Sequence, residues 1–234
     1  MNNTTLQIKF KQRLNKLASN DYDNIECWQI VEAFNKAQVE WCRRQLHGTN
    51  PYRTGDEQTK RRIDDLQILL TTQPITGSVQ TDYFLGTNFP NNYLEFKRVD
   101  ADATSECCSK DPRSMTVYLV EEANIDMIMR DPLKRPDFEW GETFCTLQNN
   151  NIRIYHREFD VVNPRITFYR KPRYIEIVGC SDPYTNTIST AEIESEFKDD
   201  IVEVIIDEAC SIIAGDINDA NNYIRGSQQA EKNN

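Results

Sequence analysis

Apolar residues recur at helical spacing at both ends of the chain and at alternating positions between them. From Thr190 to about Arg225, Ile193, Phe197, Ile201, Ile205, Ala209, Ile212 and Ile213 keep the i, i+4, i+8 rhythm of a stripe facing a core. Ser189 with Glu192 three residues on forms an S-x-x-E capping box and marks the start. At roughly 1.5 Å per residue the run to Gly215 predicts a rod of about 37 Å. Its other face is acidic: Glu194, Glu196, Asp199, Asp200, Glu203, Asp207 and Glu208, with Lys198 almost alone against them.

At the other end, Leu6, Phe10, Leu14 and Leu17 predict a first helix, whose Lys9, Lys11, Arg13 and Lys16 lie on other faces. Those cations suit a solvated face or a mate for the acidic last helix better than a phosphate site. Asp23 and Glu26 stand in a capping-box relation ahead of a second stripe, Cys27, Ile30, Val31, Phe34, Ala37 and Trp41, which Gly48 and Pro51 stop. The Thr54–Glu57 box opens a third helix with Ile63, Leu66, Leu69 and Leu70 on its core face and Pro74 closing it.

Between 76 and 188 the period shortens to two. Segments 93–99, 115–120, 143–147, 152–155, 165–169 and 174–178 alternate and are rich in aromatic and β-branched residues. Asn149, Asn150 and Asn151 predict a hairpin turn. Residues 121–130 predict a short helix ahead of Pro132 and Pro136, and the polar stretch 100–114 predicts an exposed loop. The fold class expected is therefore α+β. Three N-terminal helices and a long C-terminal helix (1–75 and 189–225) form a bundle, interrupted by an antiparallel β-sandwich or barrel-like module (76–188). A flexible tail, 226–234, follows.

Composition narrows the function classes. The net charge of −10 is the opposite of the basic footprint of a nucleic-acid binder. There is no apolar run near 18 residues and no basic-then-apolar leader, which predicts neither a membrane span nor a secretion signal. Seven cysteines without a C-x-x-C pair read as reduced thiols of a cytosolic chain, with Cys27, Cys42 and Cys210 half-buried on helices and no structural disulfide.

Catalytic chemistry finds little to use. His47 and His156 are the only histidines. Neither belongs to a triad motif: His47 suits a helix C-terminus, and His156 an exposed strand position. No phosphate-loop, dinucleotide or zinc-protease motif occurs, and the eight glycines are scattered. The best enzymatic pattern is Asp200-x-x-Glu203 with Asp207, acids one turn apart as in helical Mg²⁺-dependent nucleotide hydrolases. Magnesium there needs a second, opposing carboxylate pair, and Glu26, Glu32 and Glu40 do not supply one. The basic run Arg165, Arg170, Lys171 and Arg173, with Tyr169 and Tyr174, suits a protein interface or, as an alternative, a nucleic-acid-binding module. No catalytic, cofactor-binding or metal-binding residue is assigned, and no cofactor is expected.

Several stretches resemble the tail-adaptor proteins of short-tailed bacteriophages, and in particular the head-to-tail connector (ring) proteins of crAss-like phages. They are Asn35-Lys-Ala-Gln38 with Trp41-Cys-Arg-Arg44, Ile63-Asp-Asp-Leu-Gln67, Phe89-Pro-Asn-Asn-Tyr-Leu94, Ile166-Thr-Phe-Tyr-Arg-Lys-Pro172, Glu196 to Ala209, and Ala214-Gly-Asp-Ile217. The resemblance implies a structural virion protein made in the host cytoplasm, not an enzyme. It implies a homo-oligomeric ring, a dodecamer, that bridges the portal protein and other tail or ring proteins. Genomic DNA would pass through its lumen without sequence-specific binding, and no membrane would be involved. The acidic surplus would then repel phosphates, with about twelve copies at −10 carrying about −120 together.

Overall fold

The computed structural model describes residues 1–14, 25–47, 60–105, 109–216, 224, 227 and 228. It divides into two compact units: 1–68 with 172–234, and 69–171.

In the first unit, helices α1 (Asn3–Leu14), α2 (Cys27–His47), α3 (Lys60–Leu66) and α5 (Asp199–Asp216) accompany an extended segment, 172–198. Asn2 caps α1, its Oδ1 accepting from the Thr5 N–H at 2.8 Å, and Leu6, Phe10 and Leu14 are buried as their spacing predicts. Leu17 lies outside the described residues, as do Asp23 and the Thr54–Glu57 box. The cap of α2 is shifted from its expected pair: the Gln29 side chain accepts from the Glu26 N–H at 3.0 Å, the reciprocal half of a capping box. Ile30, Phe34, Ala37 and Trp41 are buried on the expected stripe. Helices α1 and α2 both pack against α5.

Two helix predictions are corrected. The last helix begins at Asp199, not Thr190, and its 18 residues span about 27 Å. Ser189 and Glu192 make no cap. The Ser189 hydroxyl donates to Glu176 and Ala191, while Glu192 accepts from the Asn3 side chain at 2.7 Å and the Val178 N–H at 3.0 Å. Residues 190–198 thus run extended, with Ile193 bridged antiparallel to Glu176. Beyond 216 the expected helix and the tail fall almost wholly outside the described residues. In the third helix, Leu66 and Leu69 are buried but Ile63 and Leu70 are exposed, because the chain turns through a short 3₁₀ stretch at Gln67–Leu69 into a strand.

The second unit is a curled eight-stranded sheet. Its strands are β1 (Leu70–Pro74), β2 (Gly77–Val79), β3 (Tyr83–Gly86), β4 (Tyr93–Ser105), β5 (Ser109–Leu119), β6 (Glu142–Gln148), β7 (Asn151–Tyr155) and β8 (Asp160–Arg170), in the order β1-β8-β4-β5-β6-β7-β3-β2. The two end strands are neighbours in sequence, joined by Ile75 and Thr76 alone, so the sheet has to curl until its ends approach. Asn88 ties the junction, accepting from the Thr76 N–H at 2.7 Å and donating to the Pro74 carbonyl at 3.0 Å. Glycine is required at Gly77, where a Cβ would lie 1.9 Å from the Leu85 carbonyl oxygen. The core inside the curl is Ile75, Phe84, Val99, Ala101, Ala103, Met115, Ile152, Ile154, Ile166 and Phe168.

The expected strand segments other than 174–178 lie within the sheet. Asn149 and Asn150 close the β6–β7 hairpin with φ of 52° and 57°, as a type I′ turn requires of both positions. Helix α4 (Ile125–Arg130) forms where a short helix is predicted, inside the crossover from β5 to β6. That crossover makes β5 and β6 a parallel pair, so the sheet is not purely antiparallel.

The exposed loop predicted at 100–114 is instead most of the β4–β5 hairpin, paired from Val99↔Val117 to Ser105↔Ser109. Val99, Ala101, Ala103 and Ser105 point inward with Asp100 and Asp102 between them, an alternation of small residues that mean polarity conceals. Residues 174–178 are no strand of the sheet. They belong to the first unit, where Asn35 accepts from the Ile175 N–H at 2.9 Å and Gln38 donates to the Arg173 carbonyl at 3.1 Å.

Candidate functional site

The carboxylates of α5 are the natural starting point. Ile201, Val202, Ile205, Ile206, Ala209, Cys210, Ile213 and Ala214 are all buried, so the helix is enclosed on more than one side. A carboxylate on such a helix needs a counter-charge. Glu203 has two, Lys9 and Arg13 of α1, and Arg13 Nε also lies 3.1 Å from Asp207 Oδ1. Arg44 of α2 pairs with Glu208, which is only 3% exposed. Burial pushes the Glu208 carboxyl up to about 7, with Arg44 opposing and Glu40 adding to the rise. Asp199 pairs with the Met1 amino group at 2.7 Å, which holds its carboxyl below the usual range.

This overturns the expectation of a solvated acidic face at Glu203, Asp207 and Glu208, and bears out the first helix as the mate of Glu203 and Asp207, while Glu208 is paired from α2. Cations occupy the space where a metal site would need a second carboxylate pair. Asp200 is exposed and lies apart from this network. Among the described residues no group of three or more His, Cys, Asp or Glu is placed to hold a metal ion.

The other candidates are scattered. His47 ends α2 as expected. His156 is buried rather than exposed: it follows β7, its N–H donates to the Asp82 carbonyl at 3.1 Å, and its ring sits 6.2 Å from that of Phe159. Arg165 and Arg170 belong to β8, and Arg173 and Tyr174 to the first unit, so the basic run is divided between the two units. Tyr169 is buried in the sheet.

Cysteine usage also departs from expectation. Cys27 at the start of α2 and Cys180 in the extended segment form a disulfide, with Cα atoms 5.7 Å apart. A separation of 153 residues made the pair illegible in sequence. Cys42, Cys145 and Cys210 are buried thiols, and burial pushes the first two up to about 12, which leaves little thiolate.

The disulfide stands beside a concavity, with Cys180 in its lining. The first two turns of α2 and the segment 174–190, with its small hairpin of β9 (Ser181–Asp182) and β10 (Thr187–Ile188), enclose about 550 Å³. Trp28 and Tyr184 meet edge to face at 6.3 Å, and Ile175 and Ile177 form part of the lining. Glu32, Glu176 and Asp182 supply the charge, and none of the described lining residues is basic. Asp182 accepts from the Tyr184 N–H and the Thr185 hydroxyl, both at 2.9 Å, and these bonds lower its pKa. Its carboxylates, aromatic rings and aliphatic wall are suited to holding a ligand. Sequence reasoning missed it. The available signal was Asp182-Pro183-Tyr184, a turn carrying an aromatic ring with nothing in its own hairpin to cover it.

No family model matches this chain, and no curated protein matches it. Among the described residues no helix is long and apolar enough to cross a membrane.

Proposed function

We propose that the chain is a structural virion protein, a ring-forming adaptor in the head-to-tail connector of a short-tailed phage, bridging the portal to tail proteins. The observation that carries the choice over a metal-dependent nucleotide hydrolase is the pairing of Glu203, Asp207 and Glu208 with Lys9, Arg13 and Arg44. Carboxylates neutralised by the molecule's own cations stabilise packing and have no metal to share. The adaptor-like sequence stretches support the same reading. So does the division into a helical unit and a sheet unit, which gives a chain two different surfaces for two partners.

On this reading α1, α2 and α3 with α5 form one bundle that meets the portal or a neighbouring copy, and the sheet meets other tail proteins. A lumen carrying part of the −10 charge of each copy would let duplex DNA slide without adhering. Native mass spectrometry of the chain mixed with its portal tests the proposal. A ring stoichiometric with the portal is expected. Magnesium-dependent nucleotide hydrolysis lost in Asp200→Ala or Glu203→Ala would replace the proposal with the enzymatic reading. Salt-sensitive DNA affinity centred on Arg170 and Arg173 would replace it with a nucleic-acid-binding one.

A further inference from the structure

The groove beside the Cys27–Cys180 disulfide combines three carboxylates, two partly exposed aromatic rings and an aliphatic lining, without a basic residue among those described. Such a lining favours a cation carried beside an apolar group. The carboxylates hold the charge, the rings accept a guanidinium or ammonium over their faces, and the aliphatic wall covers the stem. Glu32 is exposed, and the Tyr184 ring is 77% exposed, so both are accessible.

A segment of this same chemistry lies elsewhere in the chain. Leu133, 70% exposed, is followed by Lys134 and Arg135 in the crossover from β5 to β6. The turn that presents them is held from within. The Asp131 side chain accepts from the Leu133 N–H at 3.0 Å, and the Asp131 carbonyl accepts from the Lys134 and Arg135 N–H groups at 3.1 and 3.0 Å. Pro132 and Pro136 flank it and restrict the backbone further. A turn already ordered loses little conformational entropy on docking. Among the described residues Lys134 pairs with Asp131 at 3.8 Å, an exposed pair that contributes little and yields readily to a better partner.

We propose that the groove of one copy seats the Leu133–Arg135 turn of a second copy. Leu133 enters the aliphatic and aromatic lining, Lys134 meets Glu32 and its neighbouring carboxylates, and Arg135 lies against the rings. Groove and turn are different surfaces, so the contact is heterologous, and its repetition closes into a ring when the rotation per copy allows. The proposal rests on the connector reading only in taking the occupant to be another copy of this chain.

Carbodiimide cross-linking of an equal mixture of heavy-isotope-labelled and unlabelled protein tests it, because the reagent joins a lysine to a carboxylate only at contact. The expected result is mixed-isotope links from Lys134 to Glu32, Glu176 or Asp182. Glu32→Lys and Lys134→Glu should each weaken self-association by about tenfold, and mixing or combining the two should restore most of it, as for a close charge pair. Circular dichroism of each variant separates lost contact from lost fold.

A homo-oligomer whose Lys134 links elsewhere, and which both variants leave intact, overturns this contact while leaving the connector reading standing. A chain that stays monomeric at high concentration, with no mixed-isotope links, also overturns it, and the portal experiment then judges the connector reading separately. A basic segment of a different protein held in the groove, with weakened binding in Glu32→Lys and no self-association, reassigns the occupant and overturns the proposal as well.

Discussion

Glu208 is buried against Arg44 with Glu40 nearby, and its carboxyl titrates near 7 instead of 4.5. Between those two values the folded chain holds a proton that the unfolded chain has released, so folding is favoured by acid across that window. The contribution is complete below about 4.5 and is lost as pH rises through about 7. Its full size is on the order of 3 kcal/mol. Glu208→Gln keeps a hydrogen-bonding partner for Arg44 and removes the titration. Urea unfolding at pH values on either side of the window should show a decline in the parent that is much smaller in the variant.

At the scale of elements, α5 is held by charges on two sides as well as by its apolar stripes. Arg13→Ala leaves Glu203 with Lys9 alone and Asp207 without its 3.1 Å partner, at an expected cost of roughly 1–3 kcal/mol in chemical denaturation. Added magnesium should leave the melting temperature unchanged, since Glu203, Asp207 and Glu208 of α5 are already paired with cations. The Cys27–Cys180 bridge closes a loop of 153 residues and ties α2 to the extended segment. Cys27→Ser should therefore lower stability by about 2–5 kcal/mol under oxidising conditions, and the difference should vanish when both proteins are reduced.

Periodicity identified these elements where burial is one-sided and local. Leu6, Phe10 and Leu14, the Asn149–Asn150 turn and the short helix before Pro132 all stand where their spacing places them. It failed where a long-range partner decides. Glu192 looks like a cap until Asn3 and Val178 claim it, and the acidic row of α5 looks solvated until Lys9, Arg13 and Arg44 arrive from other helices. The candidate groove was illegible for the same reason, since Trp28 and Tyr184 are brought together by the fold and not by spacing.

For the whole molecule, the charge pattern separates into two kinds of acid. Glu203, Asp207 and Glu208 are neutralised within the helical unit and contribute nothing to an outer field. Among the described residues, Glu32, Glu176 and Asp182 face the groove, and acids such as Glu194 and Asp200 face solvent. On the connector reading proposed above, local complementarity would join neighbours and the repulsion of phosphate would keep a DNA channel clear.

Electron microscopy of the chain incubated with its portal tests this account most directly. Class averages are expected to show a closed ring of this protein seated coaxially on the portal. Portal particles that remain bare, beside single copies of the chain at any concentration used, would contradict it.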